Sequence, residues 1–159
     1  VAEALLPADR FPGAVVGGLT GLYLPGRTEI LTRGGRRFLL DGGHNPAAGR
    51  ALERALRLHF PEASIVAVVG MARDKDHRGY LRTLAPVVDR FVMTAAGNAR
   101  AARPELLVDR SFAQAVAVPD PRKAIAAACQ TDPDLVLVSG SFLLVAEIRE
   151  ALGRSRSWP

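Results

Sequence analysis

Four short stretches of the chain are nearly unbroken in apolar residues: Phe38 to Leu40, Ile65 to Val69, Phe91 to Thr94, and Leu135 to Val138. Strands covered on both faces show such continuous apolarity, whereas a strand with one wet face alternates. A weaker fifth strand is expected over "AQAVAV", Ala113 to Val118. Between these runs the apolar residues recur at helical spacing. In Pro46 to Phe60 the set Ala48, Leu52, Ala55 and Leu56 forms one stripe, and Arg50, Glu53, Arg54 and Arg57 fall opposite it. Asn45 is placed to cap that helix and Pro46 to open it. Asp120-Pro121 repeats the signature ahead of "RKAIAAACQ". Asp76 is placed to cap a helix carrying Tyr80, Leu81, Leu84 and Val88, and Ser141 a last helix carrying Val145, Ile148 and Leu152.

Strand–helix alternation of this kind predicts an α/β fold, a mostly parallel sheet with helices on both faces: a Rossmann-like three-layer sandwich. Near the front, "RTEILTRGGRRFLLD" reads as two strands joined at Gly34-Gly35, a hairpin that adds one antiparallel strand. The domain is expected over residues 14–152. Residues 1–13, interrupted by proline and glycine, read as a linker or the end of a preceding domain, and residues 153–159 as a frayed tail. No internal repeat or low-complexity segment interrupts the pattern.

Composition narrows the classes. At 159 residues with 48% hydrophobic and 6% aromatic content, the chain makes one domain with an aliphatic core. No apolar run approaches the roughly 20 residues that span a membrane, and no basic-then-apolar leader opens the chain. Cys129 is the single cysteine, so no internal disulfide forms; a buried packing thiol in a reducing, cytoplasmic setting is expected. The net charge of +5 is carried almost wholly by arginine, with Lys75 and Lys123 the only lysines, and it is scattered over many elements. Nucleic-acid binders concentrate charge beside stacking aromatics, so this pattern favours contact with phosphates of small ligands. The start at Val1 rather than Met leads to the expectation of a longer parent protein.

In an open parallel sheet, ligands bind beyond the carboxyl ends of the strands. Four polar, glycine-containing clusters directly follow predicted strands: "DGGHN" (41–45), "GMARDKD" (70–76), "AAGNAR" (95–100) and "SGS" (139–141). They would share one rim. Each also has a plainer reading. Asp41 can serve backbone donors in a turn, His44 can be a hydrogen-bonded turn residue, and "DKD" can be a solvated turn. His59 and His77 read as helix-surface residues. An Asp and a His three apart with no third ligand do not make a metal site. Ser139-Gly140-Ser141 lacks the G-x-S-x-G nucleophile pattern. Neither G-x-x-x-x-G-K-[ST] nor a strand followed by G-x-G-x-x-G occurs, and the glycine-rich "VVGGLTG", Val15 to Gly21, has the wrong spacing. If the chain meets ATP, it completes a site built elsewhere.

Taken together, "LPGRTEIL" (24–31), "FLLDGGHNPAA" (38–48), "GMARDKD" (70–76) and "LVLVSGSFLLVAEIR" (135–149) resemble the C-terminal domain of the folylpolyglutamate synthase/dihydrofolate synthase family, in the superfamily of ATP-dependent Mur ligases. The resemblance covers Ala14 to Leu152. It implies a cytoplasmic ligase whose N-terminal domain carries the P-loop, the Mg2+ ligands and most of the folate site. A carboxylate of folate or dihydropteroate would take phosphate from ATP, and the amine of L-glutamate would displace it. The present domain would close as a lid, inactive alone, in a monomeric parent with no nucleic-acid or membrane partner.

Residue by residue, the resemblance implies Arg27 at the nucleotide phosphates and Asp41 on the nucleotide, with Asn45 beside it. His44 and Ser141 fall on the glutamate side. Asn98 and Arg100 would meet the amino acid's carboxylate, with Ala99 where related ligases carry proline. Arg27 and His44 are the catalytic candidates, Lys75 a minor one, and no metal ligand is assigned here. The alternatives are another amino-acid ligase of the superfamily and a non-catalytic module binding nucleotide or nucleic acid.

Overall fold

A computed structural model describes residues 24–108 and 114–153. The expectations for residues 1–23, including the linker and Val15 to Gly21, for Ala113, and for residues 154–159 lie outside the described residues. Six strands of the described residues form one sheet: β1 (Glu29–Arg33), β2 (Arg36–Asp41), β3 (Ile65–Val69), β4 (Arg90–Met93), β5 (Ala115–Ala117) and β6 (Leu135–Ser139). Among the described residues five helices accompany them: α1 (Pro46–His59), α2 (His77–Leu84), α3 (Pro104–Leu107), α4 (Pro121–Cys129) and α5 (Phe142–Leu152). The spatial order is β1-β2-β6-β3-β4-β5, with β1 antiparallel to β2 and every other pairing parallel. This is the mostly parallel three-layer arrangement predicted. Gly34 and Gly35 make the hairpin at φ of 57° and 78°, the left-handed pair that a tight two-residue turn demands.

Unbroken apolarity in the strands is accounted for by the two cores. Leu39, Ala67, Val69, Phe91, Met93, Leu135 and Leu137 face one layer with Leu52 and Leu56 of α1 and Tyr80, Leu81 and Leu84 of α2. The alternate residues Phe38, Leu40, Val66, Val68, Val92, Val136 and Val138 face the other, with α4 and α5. Neither side of the central strands meets water, which is why their middle residues are apolar at both parities.

The predicted caps are all in place. Asn45 Oδ1 accepts from Ala48 N–H, Asp76 from Gly79, Asp120 from Arg122 and Lys123, and Ser141 Oγ from Leu143. Four details differ from the pattern reading. The buried stripe of α1 runs through Gly49, not Ala48 or Ala55: a Cβ at Gly49 would lie 2.0 Å from Thr83 Oγ1 and 3.1 Å from the Tyr80 ring. The missing side chain is what lets α1 and α2 approach. Val88 is buried but lies past the end of α2, in the turn before β4. Cys129 closes α4 only half-buried, with burial raising its thiol pKa. His77 is half-buried too, its Nε2–H donating to the Ala72 carbonyl at 2.7 Å, because α2 begins against the loop that follows β3. The short α3 was not visible as a periodicity, one turn being too brief to show any.

The topology also creates the site. β6 and β3 are neighbours, yet α5 after β6 packs on one face and α2 after β3 on the other. Loops leaving adjacent strands in opposite directions open a crevice at the carboxyl edge. The strand ends lie level there, Ser139 being in register with Asp41 on one side and Val69 on the other.

Candidate active site at the carboxyl edge of the sheet

The turn before β1 carries Arg27. Gly26 sits at φ 71°, and a Cβ there would press within 2.8 Å of Val145 on α5. Backbone contacts hold the turn at several points. Gly26 N–H donates to Glu29 Oε2 (2.8 Å), its carbonyl accepts from Gly42 N–H (2.8 Å), and Arg27 N–H donates to the Leu24 carbonyl (3.1 Å). Thr28 lies at φ 48°, a left-handed conformation that a β-branched residue adopts only under strain. Asp41 holds it there: Oδ2 accepts from Thr28 N–H (3.0 Å) and Oγ1 (3.3 Å), while Oδ1 accepts from Gly43 N–H (2.8 Å). The plainer reading of Asp41 is thus realised in the geometry. It satisfies backbone donors on two turns and ties the Arg27 turn to the His44 turn. Glu29, likewise buried, pairs with Arg149 Nε of α5 at 2.9 and 3.1 Å.

With its backbone so held, Arg27 extends its guanidinium over the Phe142 ring, 4.5 Å from the centroid. His44 meets the same ring edge-on, with centroids 6.5 Å apart and planes at 68°. The His44 ring donates from Nδ1 to the Gly42 carbonyl (3.0 Å), leaving Nε2 for a ligand.

Beyond Phe142 lies a cleft of about 260 Å³, lined by His44, Lys75, Asn98, Arg100, Ser141 and Phe142 among others. Gly70, Met71 and Gly140 line it as well. The loops after β3 and β4 are knitted together beneath it, Ala72 pairing with Ala101 and Ala102 N–H donating to the Met71 carbonyl at 2.8 Å. Asn98 Oδ1 accepts from Arg100 N–H (2.9 Å), a turn closed across Ala99. At the mouth, Asp74 is shared by Lys75 (3.3 Å) and Arg100 (3.3 Å). The Lys75 ammonium, ahead of Asp74's own backbone N–H and of Arg100, holds the Asp74 carboxyl below its ordinary value. These pairs are long and open to water, so an incoming carboxylate can exchange with Asp74 at little cost.

The sequence-predicted residues therefore divide into two groups. His44, Asn98, Arg100, Ser141 and Lys75 converge on the cleft. Arg27 and Asp41 do not line it, Arg27 resting on Phe142 and Asp41 tying the two turns together, and Asn45 is exposed, its side-chain oxygen occupied as the α1 cap. Phe142 itself was overlooked. The buried stripe of α5 is Leu144, Val145 and Ile148, and the packing of that helix on the sheet leaves Phe142 and Leu143 exposed at its start, which periodicity alone does not show because Phe142 lies one turn before Val145.

A buried chain of hydroxyls ends at Asp41. Ser139 Oγ donates to the Asp41 carbonyl (2.7 Å), so the Tyr80 hydroxyl, 2.5 Å away, donates to Ser139. Burial, with the Asp41 charge adding to it, drives the Tyr80 pKa far above its ordinary 10.0, against a smaller lowering by the Ser139 bond. An unfolded tyrosine releases its proton near 10.0 while the folded one keeps it, so stability is full below that pH and declines above it. Melting temperature should fall between about pH 10 and 11 in the parent and fall less in Tyr80→Phe. Equal alkaline slopes in the two proteins would contradict this placement.

Among the described residues, no three His, Cys, Asp or Glu side chains are placed to hold a metal ion, and no helix is long and apolar enough to cross a membrane. The family model described as "Mur ligase, glutamate ligase domain" matches residues 26–142, which span both halves of this site. The chain belongs to the Mur ligase family, as its glutamate ligase domain. The Escherichia coli dihydrofolate synthase/folylpolyglutamate synthase is 33% identical over 149 residues, 91% of this chain and 34% of that protein. Among solved structures, folylpolyglutamate synthase of Mycobacterium tuberculosis, complexed with ADP and AMPPCP, superposes with a TM-score of 0.80 at 28% identity, covering 98% of this chain and 38% of that one. The bifunctional enzyme of Yersinia pestis, complexed with AMPPNP and a Mn ion, gives 0.78 at 33% identity over 92% and 35% of the two chains. The chain thus spans about a third of the length of these relatives and matches their glutamate ligase part.

Proposed function

We propose that this domain serves an ATP-dependent ligase that adds L-glutamate to a carboxylate of folate or dihydropteroate. The observation that carries the reading is the convergence of Lys75, Asn98, Arg100, Ser141 and His44 on one small cleft, with Arg27 resting on Phe142. ATP is a substrate here. A carboxylate oxygen of the folate substrate attacks the γ-phosphorus and ADP departs. The glutamate nitrogen then attacks the acyl carbon, loses a proton and expels phosphate.

In this scheme Arg27 places fixed positive charge against the oxygens of the transferring phosphoryl group, where charge builds up in the transition state. Arg100 and Lys75 exchange Asp74 for a glutamate carboxylate, Arg100 with the fork geometry that suits it. His44 Nε2 and the Ser141 hydroxyl orient the amine side. Asp41 meets the nucleotide through whatever acceptor capacity its backbone contacts leave, with Asn45 at the edge of that surface. The divalent ion, Mg2+ in this reading, belongs to the remainder of a longer cytoplasmic, monomeric protein that also supplies the P-loop, because the residues described here do not form a ligand set for it.

The test is ADP release by the full-length protein with ATP, Mg2+ and either dihydropteroate or a reduced folate, across a panel of amino acids. Release that requires both L-glutamate and a pterin carboxylate supports the reading. Release driven by a different amino acid would redirect it to another ligase of the superfamily, and release with none would refute it.

A further inference from the structure

We propose that Phe142 is a positioning residue for Arg27, and that the exposed first turn of α5 is the element through which the two halves of the site are kept in register. The inference rests on the reading of Arg27 as the cation at the transferring phosphate.

α5 touches the Arg27 turn at three places on one helical stripe, spaced three and four residues apart. Phe142 lies beneath the guanidinium, Val145 abuts Gly26, and Arg149 pairs with Glu29. An arginine on a surface turn has several freely rotating bonds, so its backbone alone cannot aim it. A ring face 4.5 Å from Cζ can, because the guanidinium is planar and stacks. The ring in turn is held. It lies directly on Gly42, where a Cβ would come within 2.3 to 2.6 Å of three ring carbons, and its edge meets His44. Phe142 is 38% exposed and so sits there against the hydrophobic preference of an aromatic residue. Its neighbour Ser141 lines the cleft and caps the same helix. A shift of this turn would therefore move Arg27 and the cleft wall together.

The closing experiment uses the full-length protein with two independent readouts. In kinetics, Phe142→Leu should lower kcat/KM for ATP about tenfold, the scale of a partly desolvated cation–π contact, with KM for the amino acid changed less than about twofold. Phe142→Tyr should restore it. Gly42→Ala, which displaces the ring without altering any side chain assigned to substrate, should reproduce the loss. In an Arg27→Ala background Phe142→Leu should have no further effect, since it acts through the arginine. An additive loss there, or a loss confined to KM for the amino acid, overturns the proposal.

The second readout needs no activity. The Nε–H resonance of Arg27 should show a ring-current upfield shift that Phe142→Leu abolishes; an unchanged resonance overturns the positioning role. A protein that shows the ring-current shift but no ligase activity would refute the functional reading alone.

Discussion

Arg27→Ala in the full-length protein should reduce turnover by roughly a thousandfold, the scale on which a fixed arginine stabilises phosphoryl transfer. It should do so with almost no change in melting temperature. The turn that carries Arg27 is held by backbone groups of Gly26, Arg27 and Thr28, whose partners are Glu29, Leu24, Gly42 and Asp41, and these contacts survive removal of the side chain. The guanidinium itself is exposed and rests on Phe142. Surface truncations of that kind change stability by about 0.5 kcal/mol or less. Arg27→Lys should recover only part of the rate, because an ammonium keeps the charge but neither stacks on the ring nor presents a planar fork. The check is ADP release under saturating substrates beside a thermal melt. Turnover within a few-fold of the parent would remove Arg27 from the chemistry, and a large fall in melting temperature would mean that the side chain is structural.

Glu29→Ala should behave in the opposite way, as a stability defect first. The Glu29 side chain is 2% exposed and receives both Gly26 N–H and Arg149 of α5, at the far end of the chain. Removing a buried carboxylate that accepts from both a backbone amide and a guanidinium is an effect of about 3 kcal/mol. For a domain of this size that corresponds to a fall of about 6–12 °C in the unfolding transition. Turnover should fall as well, since the Gly26 amide loses its acceptor and the Arg27 turn loosens. Arg149→Met, which removes the cation while keeping apolar packing, should not rescue Glu29→Ala fully, because the Gly26 contact is still missing. A shift under about 2 °C for Glu29→Ala would show that water replaces the pair at no cost and that the clamp does not hold the turn.

The contrast between these two positions shows how legible the site was. Arg27, Asp41, His44, Asn98, Arg100 and Ser141 stood out because charged and polar residues directly after or before apolar strands have few structural uses, and because their motifs resemble those of a known ligase family. Glu29 and Arg149 did not stand out. Each lies in an ordinary strand or helix context and they are 120 residues apart, so only the closing of β1 onto α5 makes them a pair. Phe142 was hidden for a related reason: a phenylalanine beginning an apolar helix reads as core until the helix's rotation on the sheet is known. Tyr80 was read as a helix stripe residue and Ser139 as the first residue of the cluster after the strand Leu135 to Val138, yet their hydroxyls meet beneath Asp41.

What the sequence determined by itself is what short-range physics controls. Strand positions follow from unbroken apolar runs, helix starts from Asn45, Asp76, Asp120 and Ser141, the hairpin from Gly34-Gly35, and the fold class from their alternation. The tertiary structure alone decided strand order, with β6 inserted between β2 and β3, and therefore which loops share the crevice. It also decided that Asp41 spends its carboxylate on Thr28 and Gly43, and that Arg27 rests on Phe142, which lines the cleft. The physical reason is that capping and periodicity are set by residues within a few positions of one another. A site at a sheet edge is instead assembled by packing between segments far apart in sequence, whose relative placement no local pattern encodes.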